Sequence, residues 1–327
     1  MKSDRGDGAP ARLGHWERLE EIGRGAMGVV YRASESVTGR PAALKMLRRD
    51  CLSSLETRER FIRECQLAAR LSHPNVVSVL DSGVDGAQPY YVMELVDGEP
   101  LDRILAERSA DRAVPGTDTR LIGWRSIVDA FAATADGLHH AHDRRVIHRD
   151  VKPSNLMLDR FGRLRLLDFG LACASDAAIQ LVAGQTIGTP RYMSPEQVEG
   201  RKDWSAPATD LWSLGATLYE ALSGSPPFQG EPGPVMRGIL TDSPRPLREL
   251  RPEIPREVER IVFQCLRKNP RLRPASAAHL AQHLRRIARN PSASSSIAAA
   301  LRDIRSWLAG RWRRFSFIAA SLTWLTT

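Results

Sequence analysis

The sequence predicts an α+β chain of two unequal lobes, and three observations carry that reading. Residues 15 to 97 alternate short β-like runs with one helical pattern. Residues 98 to 288 are mainly helical, broken only by short β-like pieces. The chain shows no regular strand–helix–strand alternation, so helices and strands segregate. With 327 residues, 42% of them hydrophobic and 26% charged, there is enough apolar material for a sizeable core.

In chain order, residues 1–14 are rich in Gly, Asp, Arg and Ser and are expected to be disordered. They hold no apolar stretch, which argues against a secretory leader. GVVYRAS, PAALKML, VVSVL and PYYVMEL read as strands. Between the second and third, SLETRERFIRECQLAARL reads as a helix whose apolar stripe is Phe61, Cys65, Ala68 and Leu71. After VDGEP the period turns helical, as in WRSIVDAFAATADGLHHAH, with β-like pieces around NLML and RLRLLDF. DLWSLGATLYEAL is apolar nearly all round and predicts a buried helix. AHLAQHLRRIAR closes the body; residues 289–300, with NPSASSS, form a linker, and residues 301–327 a basic amphipathic tail. There is no internal repeat.

The net charge of +9 is unevenly placed: from Arg285 onward eight arginines face one aspartate, which is +7 and leaves about +2 for everything before. Nucleic acid is therefore not an expected partner of the body. Cys51, Cys65, Cys173 and Cys265 form no C-x-x-C pair and lie near no histidine cluster. A disulfide framework or zinc site is not expected, and a reducing compartment fits.

Several residues suggest phosphate chemistry. IGRGAMGVVY places Gly23, Gly25 and Gly28 where backbone N–H groups can approach phosphate oxygens. A dinucleotide-binding turn would need a helix next and an acid about 20 residues on. Here β-favouring Val29, Val30 and Tyr31 follow, and residue 48 is Arg. Lys45 ends the run PAALK and can reach phosphates, unless it is a solvated strand end. Glu64 sits three residues after Phe61 and four before Ala68, on the face of the apolar stripe. A carboxylate there needs a partner, and Lys45 is the expected one. IHRDVKPSNLML then gathers an acid, two cations and a carboxamide in fixed order. Asp150 can accept a proton, Lys152 can neutralise moving charge, and Asn155 offers a hard oxygen for Mg²⁺. Asp168, at the end of an apolar strand in LLDFG, offers a second. His148 alone reads as a packed core histidine.

The ordered set GRGAMGVV, AALK, Glu64 in FIRECQLAARLSHPN, HRDVKPSN, DFG, GTPRYMSPE, DLWSLG and NPRLRP resembles the eukaryotic-like protein kinase family, in its bacterial Ser/Thr branch. The resemblance covers about residues 16 to 287. It implies the bilobal kinase fold: a small β-rich N-lobe (15–97) with one regulatory helix, and a larger helical C-lobe (98–288). It implies ATP and Mg²⁺ as cofactors and Ser/Thr of proteins as acceptors. Ile22, Gly23, Gly25 and Gly28 would cover the nucleotide and Lys45 contact the α- and β-phosphates. Val30, Ala43 and Met157 would sandwich adenine, Met93 act as gatekeeper, and the backbone of Glu94 and Val96 bond the adenine edge. Asp150 would be the catalytic base, while Asn155 and Asp168 hold magnesium. The reaction needs this layout because phosphoryl transfer is mostly positioning and charge stabilisation. Lys152 fits Ser/Thr kinases, and Thr189 would bridge Asp150 and Lys152. Glu196 would pair with Arg273, the alternative being a surface ion pair of little weight. Asp210 would be both an N-cap and a holder of the catalytic-loop backbone.

Asp168 to Glu196 makes a 29-residue segment, long for a compact domain and so functional or mobile. Arg149 before the catalytic Asp suggests a loop ordered by phosphorylation, with Thr186 the first candidate acceptor and Ser175 the second. Cys173 stands where the family often has Arg or Lys, which loosens that control. ERSADRAVPGTDTRLIGW is longer than the usual connection.

In the tail, Leu301, Ile304, Leu308, Trp312 and Phe315 fall at helical spacing with Arg on other faces. Such a helix can lie on an anionic membrane surface. The last 13 residues, Phe315 to Thr327, are uncharged. As a helix they span about 20 Å, short of a ~30 Å hydrocarbon core. The expectation is a cytoplasmic protein, peripheral at the inner face of the membrane; the alternative is a helix packed on the body or a partner. A homodimer would serve trans-autophosphorylation. Two other readings compete, a pseudokinase and a small-molecule phosphotransferase. Lys45, Asp150 and Asp168 argue against the first and GTPRYMSPEQ against the second.

Overall fold

A computed structural model describes residues 12–25, 28–47, 55–85, 88–111, 123–169, 190–201 and 206–289. Its strands are β1 (Arg12–Leu13), β2 (Trp16–Gly25), β3 (Gly28–Glu35), β4 (Pro41–Leu47), β5 (Val79–Asp85), β6 (Gln88–Glu94), β7 (Gly98–Pro100), β8 (Leu156–Asp159) and β9 (Leu164–Leu166). Its helices are α1 (Leu55–Ala68), α2 (Leu101–Asp111), α3 (Trp124–His142), α4 (Pro195–Val198), α5 (Pro207–Ser223), α6 (Pro232–Thr241), α7 (Leu247–Leu250), α8 (Arg256–Cys265) and α9 (Ala277–Arg289).

The first lobe is an antiparallel six-stranded sheet in the order β1-β2-β3-β4-β6-β5. PAALKML and PYYVMEL are apolar on both faces because the sheet is covered on both. Ala42, Leu44, Met46, Tyr90 and Val92 point to an outer core with Leu13, Trp16, Tyr31 and Ala33. Their alternates Ala43, Leu47, Tyr91 and Met93 point inward, onto Phe61 and Cys65 of α1 and the main core. This period of two puts Lys45 on the inward face as well. Register completes the arrangement: Val30, Lys45 and Tyr91 lie side by side across β3, β4 and β6, and Ala43 faces Met93.

The stripe predicted for α1 is correct, with Phe61, Cys65, Ala68 and Leu71 all buried. One strand reading is revised. VVSVL is not one strand: Val76 bridges Leu166 of β9 in parallel, and β5 starts only at Val79. WERLEEIGRG is a ten-residue strand despite its polar sequence, since most of its side chains face solvent and hide the alternation. The sheet also begins at Arg12, inside the stretch read as disordered, with Leu13 fully buried beneath it.

The second lobe is helical around α5, whose buried face extends nearly all round, as its sequence predicts. Gly224 ends α5 at φ +88°, a left-handed cap that suits glycine. A small antiparallel sheet, β7-β8-β9, holds the two strands that follow the His148–Asn155 loop.

Candidate active site

The loop His148–Asn155 is held from beneath. Asp210, in the first turn of α5, is fully buried and accepts backbone N–H bonds from His148 (2.9 Å) and Arg149 (2.7 Å), plus one from His142 Nε2 (2.8 Å). Burial pushes its carboxyl up, but the hydrogen bond and charge of His142 outweigh this and hold it below the usual carboxylate range. The N-cap reading of Asp210 is corrected: α5 starts at Pro207 with Ala206 as N-cap, one turn earlier, so the side chain is free to serve the loop. His148 is a core histidine, with no exposure. Its Nε2 lies 2.8 Å from the Leu167 carbonyl and its Nδ1 accepts from Asp150 N, which fixes the proton on Nε2.

Above this base, Lys152 Nζ donates to Asp150 Oδ2 at 2.7 Å and Asn155 Nδ2 to the same oxygen at 2.9 Å. Asn155 Nδ2 also donates to the Asp150 carbonyl (2.8 Å), which closes the loop on itself. Oδ2 of Asp150 is thus the oxygen that both donors share. The Asn155 carbonyl accepts from Leu167 N (2.9 Å), so the loop and the strand end that carries Asp168 are fastened together.

Asp168 has φ +57° and Arg149 φ +67°, left-handed positions that cost about 1–3 kcal/mol and persist where surroundings enforce them. Lys45 Nζ donates to Asp168 Oδ2 at 2.5 Å, and Tyr91 donates its phenol to Oδ1. Burial raises the Asp168 carboxyl, yet the Lys45 ammonium and these hydrogen bonds prevail and keep it below the ordinary range. The expected Lys45–Glu64 pair is not what the structure contains. Glu64 pairs with Arg149 Nη1, while Lys45 pairs with Asp168. Glu64 does need a partner on its half-buried face; the sequence separation of 85 residues concealed which one.

Ala43 and Met93 are buried in register, and Val30 and Val96 pack against the main core. Met157 sits on β8 opposite Pro100, and Ile22 is 44% exposed on β2. Glu94 is strapped down: Arg165 of β9 grips its carboxylate through Nη1 (2.6 Å) and Nη2 (2.8 Å) and also bonds the Val76 carbonyl. The hydrogen bonds from Arg165 hold the Glu94 carboxyl below its usual range. Thr189, Thr186, Ser175 and Cys173 lie outside the described residues.

Residues 16–284 match the protein kinase domain family. The chain belongs to the protein kinase family. Among curated relatives, it is 39% identical over 281 residues to the DNA damage-responsive serine/threonine-protein kinase RqkA of Deinococcus radiodurans, covering 84% of this chain and 40% of that protein. It is 35% identical over 277 residues to the serine/threonine-protein kinase PknA of Mycobacterium tuberculosis, covering 82% and 60%. The chain thus spans about half the length of these relatives. Among solved structures, the kinase domain of Mycobacterium tuberculosis PknI superposes with a TM-score of 0.66 at 26% identity, covering 84% of this chain and 96% of that one. The bilobal α+β kinase fold is therefore established.

Kinases of this family use ATP and Mg²⁺, and the residues present fit both. A Cβ on Gly25 would meet nothing within 4 Å and one on Gly23 only Val30 at 3.9 Å, which leaves open space where phosphates need backbone N–H groups. Gly28 differs. A Cβ there would lie 2.0 Å from the Met46 carbonyl, so strand packing alone demands that glycine. The ionised Asp168 and the Asn155 carboxamide oxygen are hard donors of the type Mg²⁺ takes. The kinase's Glu196–Arg273 pair is also present. It is bidentate (2.6 and 2.7 Å) and buried, not a surface ion pair. Sequence reasoning missed Tyr91, which reads as one more aromatic in an apolar strand, and Arg165. Only the polar end of Tyr91 and the charge of Arg165 between two leucines hinted at them.

Proposed function

We propose that this chain transfers the ATP γ-phosphoryl group to Ser and Thr hydroxyls of protein substrates in bacterial signal transduction. The observation that carries the reading is Asp150, whose Oδ2 is committed to Lys152 and Asn155, which leaves Oδ1 to take the proton of an acceptor hydroxyl. Bound Mg²⁺–ATP supplies the phosphoryl group and the cation that balances its charge. Asp150 Oδ1 receives the proton of the acceptor hydroxyl as its oxygen bonds to phosphorus, and ADP leaves. Lys152 offsets charge on the moving group, and Thr189 bridges it to Asp150, favouring Ser or Thr acceptors. Asn155 and Asp168 hold the cation. Ile22, Gly23, Gly25 and Gly28 cover the nucleotide, while Lys45 leaves Asp168 for the α- and β-phosphates. Val30, Ala43 and Met157 enclose adenine behind Met93, and the backbone of Glu94 and Val96 bonds its edge.

The change at Gly98 from one sheet to the other supports lobes of 15–97 and 98–288, followed by a linker and the basic tail. Incubation with labelled ATP and Mg²⁺ is expected to put phosphate on serine or threonine, with Thr186 the main autophosphorylation site in a transient homodimer. Absence of label sinks the reading; label that spares Thr186 in active enzyme sinks only the autophosphorylation.

Among the described residues no helix is long and apolar enough to cross a membrane. We assign the tail to the inner membrane surface of the cytoplasm, on the strength of its arginines and amphipathic spacing. Protein lacking residues 290–327 should pellet with anionic vesicles far less than the full chain. Equal pelleting removes the membrane assignment.

A further inference from the structure

We infer that Tyr91 is a positioning residue whose phenol holds the Asp168 carboxylate back from the catalytic cation. The inference rests on the reading of Asp168 as a cation ligand. Tyr91 is 1% exposed and stands directly across from Lys45 on the neighbouring strand. Its ring is held from the other side by α1, with Phe61 at a centroid distance of 6.5 Å, and Lys45 Nζ lies 5.7 Å from the ring centre. An aliphatic side chain could fill this place. What the phenol adds is one buried O–H, and that donor is aimed at Asp168 Oδ1.

With Lys45 on Oδ2, both carboxylate oxygens are presented to strands β4 and β6. Asn155, the other hard donor, belongs to the loop of the opposite lobe. A cation shared by Asp168 and Asn155 therefore draws the carboxylate away from the sheet, against these two donors. The two donors that resist this turn are not alike. Lys45 has a flexible stem and can follow the phosphates, which relieves its half of the latch when nucleotide binds. Tyr91 has a ring packed in the core and cannot follow. Its hydrogen bond must break before Asp168 turns, so the phenol sets a threshold for cation binding.

The test is Tyr91→Phe, which keeps the packed ring and removes only the O–H. Mg²⁺ is titrated into the full chain with a non-hydrolysable ATP analogue and followed by calorimetry, together with analogue binding in the absence of metal. The half-saturating Mg²⁺ concentration is expected to fall about fivefold, the worth of one intramolecular hydrogen bond. Metal-free analogue affinity should stay as in wild type, which a merely structural role for the phenol would disturb. A Mg²⁺ requirement that is unchanged or increased overturns the inference. Failure of the wild type to show any Mg²⁺-dependent analogue binding overturns instead the reading of Asp168 as a cation ligand.

Discussion

Replacing Asp150 by Asn should reduce kcat for phosphoryl transfer by about 10²–10⁴-fold, the usual worth of a positioned general base. The substitution is nearly isosteric, and the local bonds dictate how the amide sits. Lys152 Nζ and Asn155 Nδ2 both donate to Oδ2, so the amide oxygen takes that place and the NH₂ group replaces Oδ1. The cleft then presents a donor where the acceptor hydroxyl needs an acceptor. Nucleotide affinity should change little, because the residues proposed to face phosphate and adenine lie on other elements. Stability should change little too, since the Asp150 and Lys152 side chains are 37% and 31% exposed and such a pair contributes about 0–1 kcal/mol. Steady-state rates combined with a nucleotide-binding isotherm separate these effects. Equal phosphate incorporation by the two proteins would defeat the base assignment.

Arg273→Ala should act on the other quantity, lowering stability by about 3–5 kcal/mol, as removal of one partner from a buried ion pair does. The guanidinium has no exposure and the Glu196 side chain 4%. Besides its two bonds to Glu196, Arg273 donates to the carbonyls of Arg267 (2.9 Å) and Ala208 (2.8 Å) and lies over the Trp212 ring at 5.2 Å. Without it the Glu196 carboxylate keeps only Thr209 Oγ1 among the side-chain donors described here. Thermal unfolding should drop by roughly 10 °C. Acid supplies a second check. Burial pushes the Glu196 carboxyl up, but Arg273 more than reverses this and leaves it below its ordinary value. The stability it contributes is thus present above the unfolded pKa of about 4.3 and is lost as pH falls through the lower folded value. In the variant the unpaired carboxyl protonates more readily, so the difference between the proteins should narrow on acidification. A drop of under about 2 °C at neutral pH, or a gap that widens in acid, contradicts this account.

Much of the site could be read in the sequence because its residues are chemically unusual for their positions. Asp150, Lys152 and Asn155 within one short loop, and Asp168 at the end of an apolar strand, have no packing purpose that would explain their order. Helical and strand periods were equally plain wherever one face is buried, as in α1 and α3. Polarity hid β2, whose residues mostly face water, and double-sided burial hid which face of PYYVMEL meets the cleft. Pairings between distant segments were the least accessible. Glu64 declares that it needs a cation but not that Arg149, bent into a left-handed conformation by the grip of Asp210 on the loop, would supply it. Tyr91 and Arg165 gained their roles only from strand register.

The bidentate strap from Arg165 to Glu94 has a mechanical consequence. Arg165 stands three residues before Asp168 on the chain, and Glu94 is the last residue of β6. A shift of the end of β6 or of the strand that leads to Asp168 strains the same pair of hydrogen bonds, so neither segment moves without a cost to the other.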